Sequence, residues 1–323
     1  MRGFNNQMSQ LRIIFMGTAE LACASLEALA QQKDVSVAAV VTQPDRPKGR
    51  ELKLHPSPVK EVALRLQLPV LQPERARKED FIIELRKLQP ELIVVAAYGQ
   101  ILPPALLELP RFGCLNVHTS LLPKFRGAAP IQWAILEDEP VTGVTIMKMD
   151  AGLDTGAILA QQTTPIQPED NSQTLHDRLA KIGADLLVRT IREYVAGKIT
   201  ARPQPAEGVS IARKISKEDG RLDWTQPARA LWNRLRAFTP WPGVFTHLPG
   251  QPHPHLLKIW QAEIVDRSGQ PGEILQADKS GIVVACGKQS LRLLQIQREG
   301  GRRMSAQEFL TGHPLKPGDK LVG

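Results

Sequence analysis

Through the first 200 residues, unbroken apolar runs alternate with segments whose apolar positions recur every three to four residues. The runs at 11–17 (LRIIFMG), 35–41 (VSVAAVV), 91–99 (ELIVVAAYG), 113–118 (GCLNVH) and 143–150 (GVTIMKMD) predict strands, buried on both faces where the run is longest. Helical periodicity predicts helices over 21–33, from Ser57 as cap with Pro58 at the first helical position, over 79–88 with Pro90 as the stop, and over 171–198. Strand–helix alternation of this kind predicts an α/β, Rossmann-like domain with a mostly parallel sheet. A Pro-rich stretch, ARPQPAEG at 201–208, reads as a linker. Beyond it the pattern changes. One helix near 227–238 is followed by short strands at 257–265, 272–278, 281–287 and 291–297 with Gly-bearing turns, which predict a small OB-like β-barrel. The expected organisation is a polar extension at 1–10, a first domain at 11–200, the linker at 201–208 and a second domain at 209–323.

Composition changes this picture little. Of the 323 residues 42% are hydrophobic and 23% charged, as in an ordinary globular chain with a sizeable core. No apolar run approaches a membrane span of roughly 18 residues. The opening MRGFNNQMSQ has neither the apolar core of a signal peptide nor the Arg-rich character of a transit peptide, and Met8 is a plausible start. Cys23, Cys114 and Cys286 are odd in number and far apart, which predicts a reducing, cytoplasmic compartment without a disulfide or zinc framework. A monomer is the default expectation.

Charge says more. The net charge is +8, and residues 201–323 hold 18 Lys and Arg against 11 Asp and Glu. Nearly all the excess positive charge therefore lies in the last third. A polyanion such as nucleic acid would explain this, and so would a basic surface with no such partner; charge alone leaves both readings open.

The candidate chemistry sits where the fourth apolar run should reach the sheet edge. Asn116 and His118, two residues apart, fall on one face of a strand and near its carboxyl end, where α/β sheets carry their sites. AGLDTG, at 151–156, places Asp154 in a Gly-bracketed loop after the next strand. If both strands end at the same edge, Asp154 reaches His118. An amide and an imidazole can donate to a developing oxyanion, and a carboxylate can orient the imidazole or accept a proton. Each residue alone is more often a structural hydrogen-bonder; three converging ones favour polar transfer chemistry. Other chemistries lack their motifs. MGTAELA has one glycine where a dinucleotide fingerprint has three, and there is no GxxxxGK[ST], no HExxH, no paired CxxC and no nucleophile elbow. Direct transfer without a metal or a covalent enzyme intermediate remains.

These residues carry a resemblance. NVHTSLLPKFRGAAPIQ joined to GVTIMKMDAGLDTG resembles the folate-dependent formyltransferases. TQPDRPKGRELKLHPSPVK at 42–60, ARKISKEDGRLDW at 212–224 and AFTPWPGVF at 237–245 are similar to the branch of that family that acts on initiator methionyl-tRNA. The likeness runs from about Leu11 to the end. It implies a formyltransferase domain followed by a tRNA-binding OB-like domain, with 10-formyltetrahydrofolate as formyl donor and no metal. It implies a catalytic trio of Asn116, His118 and Asp154. Folate would lie along Ser120, Leu121, Leu122 and Pro123 and against Tyr98, Gly99 and Ile101, with residues 147–156 completing the pocket and Gly127–Ala129 keeping the backbone slim. The basic loop 42–60 would enter the acceptor end of the tRNA through Arg46, Lys48, Arg50 and Lys53, with Arg46 reading the unpaired first position. Lys214, Arg234, Arg236, Arg302 and Arg303 would be candidates for phosphates.

The sequence departs from the family pattern at Ala19-Glu20-Leu21, at Lys124-Phe125 and at Thr239, none of them in the trio. Two other readings fit parts of the chain. One is a formyltransferase for an amino-sugar nucleotide, against which the basic tail and the QPDRPKGR loop speak. The other is a non-catalytic RNA-binding or folate-sensing protein, for which the intact trio would have no use.

Overall fold

Strand β1 (Leu11–Gly17) is followed by helix α1 (Leu21–Ala30), β2 (Val35–Val41), a short hairpin of β3 (Arg46–Lys48) and β4 (Lys53–His55), α2 (Pro58–Arg65), β5 (Val70–Leu71), α3 (Glu79–Lys87), β6 (Leu92–Ala96), α4 (Pro104–Leu107) and β7 (Cys114–His118). Then come β8 (Arg126–Gly127), α5 (Pro130–Leu136), β9 (Val141–Lys148), β10 (Ala157–Pro165) and the long α6 (Ser172–Val195). The structure is a computed structural model and describes residues 10–48, 53–248 and 255–323. It falls into two compact units, the first holding residues up to 127 with 142–164 and 176–211, the second holding 128–141, 165–175 and 212–323. Segments 128–141 and 165–175 join the second unit although they precede the Pro-rich stretch, which chain patterning does not reveal.

The first unit is built on a seven-stranded sheet in the order β10-β9-β7-β6-β1-β2-β5. The pairs β1–β2, β1–β6, β2–β5 and β6–β7 are parallel. Their residues are Val-, Ile- and Leu-rich because both faces are covered, and Ile13, Ile14, Leu92, Ile93 and Val94 have no exposed surface. Ser57 caps α2 as expected, its Oγ accepting the Lys60 N–H at 3.1 Å with Pro58 following at the first helical position. Strand order reverses between β1 and β6, the switch point where α/β sheets open a crevice. One expectation needs correction: β9 runs antiparallel to β7, with Asn116 opposite Met147 and His118 opposite Thr145. The two strands therefore do not end at the same edge.

In the second unit α5 packs on α7 (Ala228–Ala237), after β11 (Ile211–Ala212). Strands β12 (Val244–Leu248), β13 (His255–Val265), β14 (Ile274–Asp278), β15 (Gly281–Ala285), β16 (Ser290–Arg298) and β17 (Arg303–Ser305) precede α8 (Ala306–Gly312). Their sheet is antiparallel, in the order β12-β13-β16-β15-β14, with β17 on β16. The chain end bridges both free edges. His247 and Val322 exchange backbone hydrogen bonds of 2.8 and 2.9 Å, and the Ile274 N–H bonds Asp319 O at 2.8 Å while Gly318 N–H bonds Ile274 O at 2.9 Å. The two edges thus share one strap, which leaves few strand groups unpaired.

Candidate active site

The site forms at the carboxyl ends of β1, β6 and β7. Gly17 has no room for a side chain: a Cβ there would lie 2.8 Å from the Phe15 ring and 3.0 Å from Ala96 O. This closeness lets the turn after β1 meet the turn after β6. Thr18 and Ala19 N–H both bond Ala97 O, at 3.2 and 3.3 Å, and Thr18 Oγ1 donates to Tyr98 O at 2.9 Å. Gln43 Nε2 also donates to Tyr98 O, at 2.8 Å.

Asn116 and His118 point to one face of β7, as their spacing requires. His118 is 5% exposed, and its Nε2 lies 2.9 Å from Phe125 O. A carbonyl only accepts, so Nε2 carries the hydrogen and Nδ1 is the variable ring atom. Asp154 arrives although β9 runs the other way. Met149 N–H bonds Cys114 O at 2.8 Å, which ties the exit of β9 to the start of β7, and residues 150–156 fold back along the strand. Gly156 allows that return, since a Cβ would lie 2.0 Å from Lys148 O. The Asp154 carboxylate then stands 3.7 Å from His118 Nδ1 through Oδ2 and 3.4 Å from Asn116 Nδ2 through Oδ1. Its Oδ2 also accepts the Gly127 N–H at 2.8 Å. The three residues named from the sequence are thus brought together, around a carboxylate whose side chain is 14% exposed.

The loop 120–123 is braced from beneath. Thr145 Oγ1 donates to Ser120 O at 2.7 Å and accepts the Leu122 N–H at 3.1 Å. Gln161 Nε2 donates to Leu122 O and to Thr145 Oγ1, both at 2.9 Å. Ser120 is fully buried and its hydroxyl donates to Lys124 O at 2.6 Å, so its side chain closes the loop on itself. Leu122 is buried, while Leu121 and Pro123 are half-buried. Tyr98 departs from its expected role. Its ring is 2% exposed and packs in the core with Ile14, Phe81, Leu102 and Leu106, and burial pushes its phenol up to about 12. Its carbonyl stays in the turn after β6, where Thr18 Oγ1 and Gln43 Nε2 bond it. Gly99, at φ +80°, leaves room for Gln43 Nε2, which a Cβ would meet at 2.7 Å. Ile101 is 86% exposed and Leu153, beside Asp154, 58%. Exposed apolar side chains on two loops at the crevice fit a flat, partly apolar ligand.

The basic candidates divide. Arg46 is exposed and its Nη2 donates to Gln43 Oε1 at 2.5 Å. The hairpin register sets Arg46 opposite His55 and Lys48 opposite Lys53; Arg50 lies outside the described residues. Lys214 is exposed. Arg302 pairs with Glu308, and Arg303 lies over the Trp260 ring at 3.9 Å. Arg236 is buried: its Nη1 donates to Gln167, Pro168 and Asp170 carbonyls and its Nη2 to Asn233 Oδ1 at 2.7 Å. Desolvation lowers its guanidinium pKa, and it cannot offer a phosphate the open fork that surface arginines offer. Arg234 is half-buried and donates to Asp219 O at 2.5 Å.

Sequence reasoning did not find Thr145, Gln161, Gln204 or Ser210. Their hydrogen bonds are non-local, and Gln204 sits in a stretch that composition marks as linker. Cys114 and Cys286 are buried, which pushes both thiols up to about 12. Among the described residues no group of three His, Cys, Asp or Glu could hold a metal, and no helix is long and apolar enough to cross a membrane.

A polar cluster at the carboxyl end of β7, one strand from the switch point of a mostly parallel sheet, fits an α/β group-transfer enzyme. Comparison with known proteins narrows this. The formyl transferase family model matches residues 11–191, and the formyl transferase C-terminal domain model matches residues 214–314. The chain belongs to the formyl transferase family. It is 51% identical over 313 residues to the methionyl-tRNA formyltransferase of Myxococcus xanthus, covering 97% of this chain and 98% of that one. It is 46% identical over 314 residues to the methionyl-tRNA formyltransferase of Geobacter sulfurreducens, with coverage of 97% and 98%. A solved structure of an N-formyltransferase from Helicobacter canadensis, in complex with folinic acid and dTDP-3-aminofucose, shares the fold at a TM-score of 0.61 and 19% identity. That match covers 88% of this chain and 99% of the other.

Proposed function

We propose that the protein transfers the formyl group of 10-formyltetrahydrofolate to the α-amino group of initiator methionyl-tRNA, giving formylmethionyl-tRNA for translation initiation in the cytoplasm. The observation that carries this reading is the convergence of Asn116, His118 and Asp154, joined to near-full-length similarity to methionyl-tRNA formyltransferases. The amine attacks the formyl carbon, and the carbonyl oxygen gains negative charge. Asn116 Nδ2 donates to that oxygen, and His118 does so through Nδ1 when that atom carries a proton. Asp154, 3.7 Å from Nδ1, keeps the ring in place. Collapse breaks the bond from carbon to the donor nitrogen. One proton leaves the attacking nitrogen and one reaches the leaving nitrogen, relayed by water that the Asp154 carboxylate orients.

The braced loop 120–123, with Gly99, the Tyr98 carbonyl, Ile101 and Leu153, forms the donor's pocket. Residues 11–200 act as the formyltransferase domain of a monomer. The antiparallel sheet of the second domain, at 209–323, closes as an OB-like barrel through its C-terminal strap and binds the tRNA. The hairpin carrying Arg46, Lys48, Arg50 and Lys53, together with Lys214, meets the acceptor end, and Arg46 reads the unpaired first position. An acceptor competition tests this reading. With 10-formyltetrahydrofolate, the protein should formylate methionyl-tRNA and leave an amino-sugar nucleotide untouched; the reverse preference overturns the assignment.

A further inference from the structure

Two residues at the site, one a member of the trio and one bonded to it, hold left-handed backbone that few side chains adopt. Phe125 has φ +59° and Asp154 φ +51°. A bulky aromatic there is a genuine outlier, and such a conformation persists only where the surroundings hold it. The surroundings that hold both come from one short segment, residues 204–210, which spans the end of the Pro-rich stretch 201–208 and the two residues after it.

Ser210 holds the Phe125 turn. Its Oγ accepts the Phe125 N–H at 2.9 Å, and its carbonyl accepts the Arg126 N–H at 2.9 Å. The Phe125–Arg126 peptide is one plane. Its N–H is bound to Ser210, and its C=O, pointing the other way, meets His118 Nε2 at 2.9 Å. Ser210 thus anchors Phe125 on both sides, by its hydroxyl at the Phe125 N–H and by its carbonyl at the Arg126 N–H, and the two anchors together aim the Phe125 carbonyl at His118 Nε2. Gln204 holds the Asp154 turn. Its Nε2 donates to Asp154 O at 2.7 Å and to Gly156 O at 2.8 Å. Its Oε1 accepts from Arg126 Nε at 3.1 Å and Nη2 at 2.7 Å. Both amide hydrogens and the amide oxygen are thus engaged, in one orientation, between the loop of Asp154 and the residue next to Gly127, whose N–H bonds the Asp154 carboxylate.

We propose that residues 204–210 are a positioning element of the transfer site, in which Gln204 sets the Asp154 carboxylate and Ser210 sets the tautomer and orientation of His118. This rests on the reading of Asn116, His118 and Asp154 as the catalytic trio. Neither Gln204 nor Ser210 need touch a substrate. Misplacing a catalytic group by about 1 Å costs on the order of 100-fold in rate, so their loss acts on turnover.

The test uses the full chain with Gln204→Met, Ser210→Ala and the double variant. Ser210→Ala removes one oxygen and keeps the backbone carbonyl, so it remains informative if Gln204→Met does not fold. Each single variant should lose about tenfold or more in kcat, with KM for donor and methionyl-tRNA within about twofold of wild type. A second readout needs no activity. In ¹⁵N-histidine-labelled protein, at a pH where the ring is neutral, the His118 signals, identified by their loss in His118→Gln, should show the Nε2–H form in wild type and a tautomer mixture in Ser210→Ala. Unchanged kcat with the wild-type tautomer, or an effect carried by KM alone, overturns the proposal. A wild-type protein that transfers no formyl group would instead sink the functional reading, and the tautomer comparison would still decide the positioning role of Ser210.

Discussion

His118 is held at one ring nitrogen by a backbone carbonyl and faced at the other by a carboxylate, so its chemistry is confined to Nδ1. In the proposed mechanism Asn116 Nδ2, on the same face of β7, is the second donor. A single oxyanion donor is typically worth about 3–4 kcal/mol of barrier. Asn116→Ala and His118→Ala should therefore each lower kcat by roughly 100- to 1000-fold, while the thermal midpoint moves by only a few degrees. Parallel kinetics and melting curves check this, and a loss of activity that merely tracks unfolding would contradict it. At this scale the sequence was informative about identity and silent about support. The trio was legible because polar residues at the end of an apolar strand are conspicuous. Thr145, Gln161, Gln204 and Ser210 were not, because an amide or hydroxyl shows nothing in the sequence of a partner many residues away. Tyr98 misled for a related reason: its position beside the crevice was readable, its ring's turn into the core was not.

Between elements, the decisive feature is the reversal after β9. The apolar run at 143–150 announced a strand, and an apolar run reads alike whichever way it is laid on its neighbour. Its antiparallel pairing removed the simple route by which Asp154 was expected to reach His118, and the folded-back loop 150–156 replaced it. Gly156 makes that loop possible. Gly156→Ala would bring a Cβ to 2.0 Å from Lys148 O, so it should cost about 1–3 kcal/mol of stability and displace Asp154 enough to lower kcat at least tenfold. Urea melts and kinetics measure the two effects, and wild-type turnover in a folded variant would contradict the reading. Helix α5 escaped notice because seven residues are too few to show a period. On α7, Arg236 illustrates how a basic residue can serve packing. Arg236→Met would leave the carbonyls of Gln167, Pro168 and Asp170 without their donor. It should destabilise the protein by about 2 kcal/mol or more, and below its melting temperature the tRNA affinity should match wild type. A stable variant with weakened tRNA binding would restore Arg236 as a phosphate contact.

For the whole molecule, charge acts in two ways. Within the second unit, hydrogen bonds from Arg229 hold Asp138 below the usual carboxylate range, and those from Arg213 do the same for Asp219. A carboxylate whose folded pKa is depressed contributes stability that is complete above its unfolded pKa, near 4, and is lost as pH falls toward the folded value. Urea midpoints should therefore be flat from pH 7 to about pH 5 and decline below about pH 4. Arg213→Gln combined with Arg229→Gln should flatten that decline, and an unchanged pH dependence in the double variant would contradict the assignment. The remaining basic surface concerns the partner. An excess of 18 Lys and Arg over 11 Asp and Glu in residues 201–323 fits a phosphate-bearing acceptor whose binding weakens as salt rises. The proposed function requires a formyl donor and an initiator tRNA to meet at Asn116, His118 and Asp154. The most direct measurement follows formyl transfer from 10-formyltetrahydrofolate to methionyl initiator tRNA, with methionyl elongator tRNA alongside. Rapid formylation of the initiator and little of the elongator is the predicted result; formylation of neither, by folded protein with an intact trio, would contradict the account.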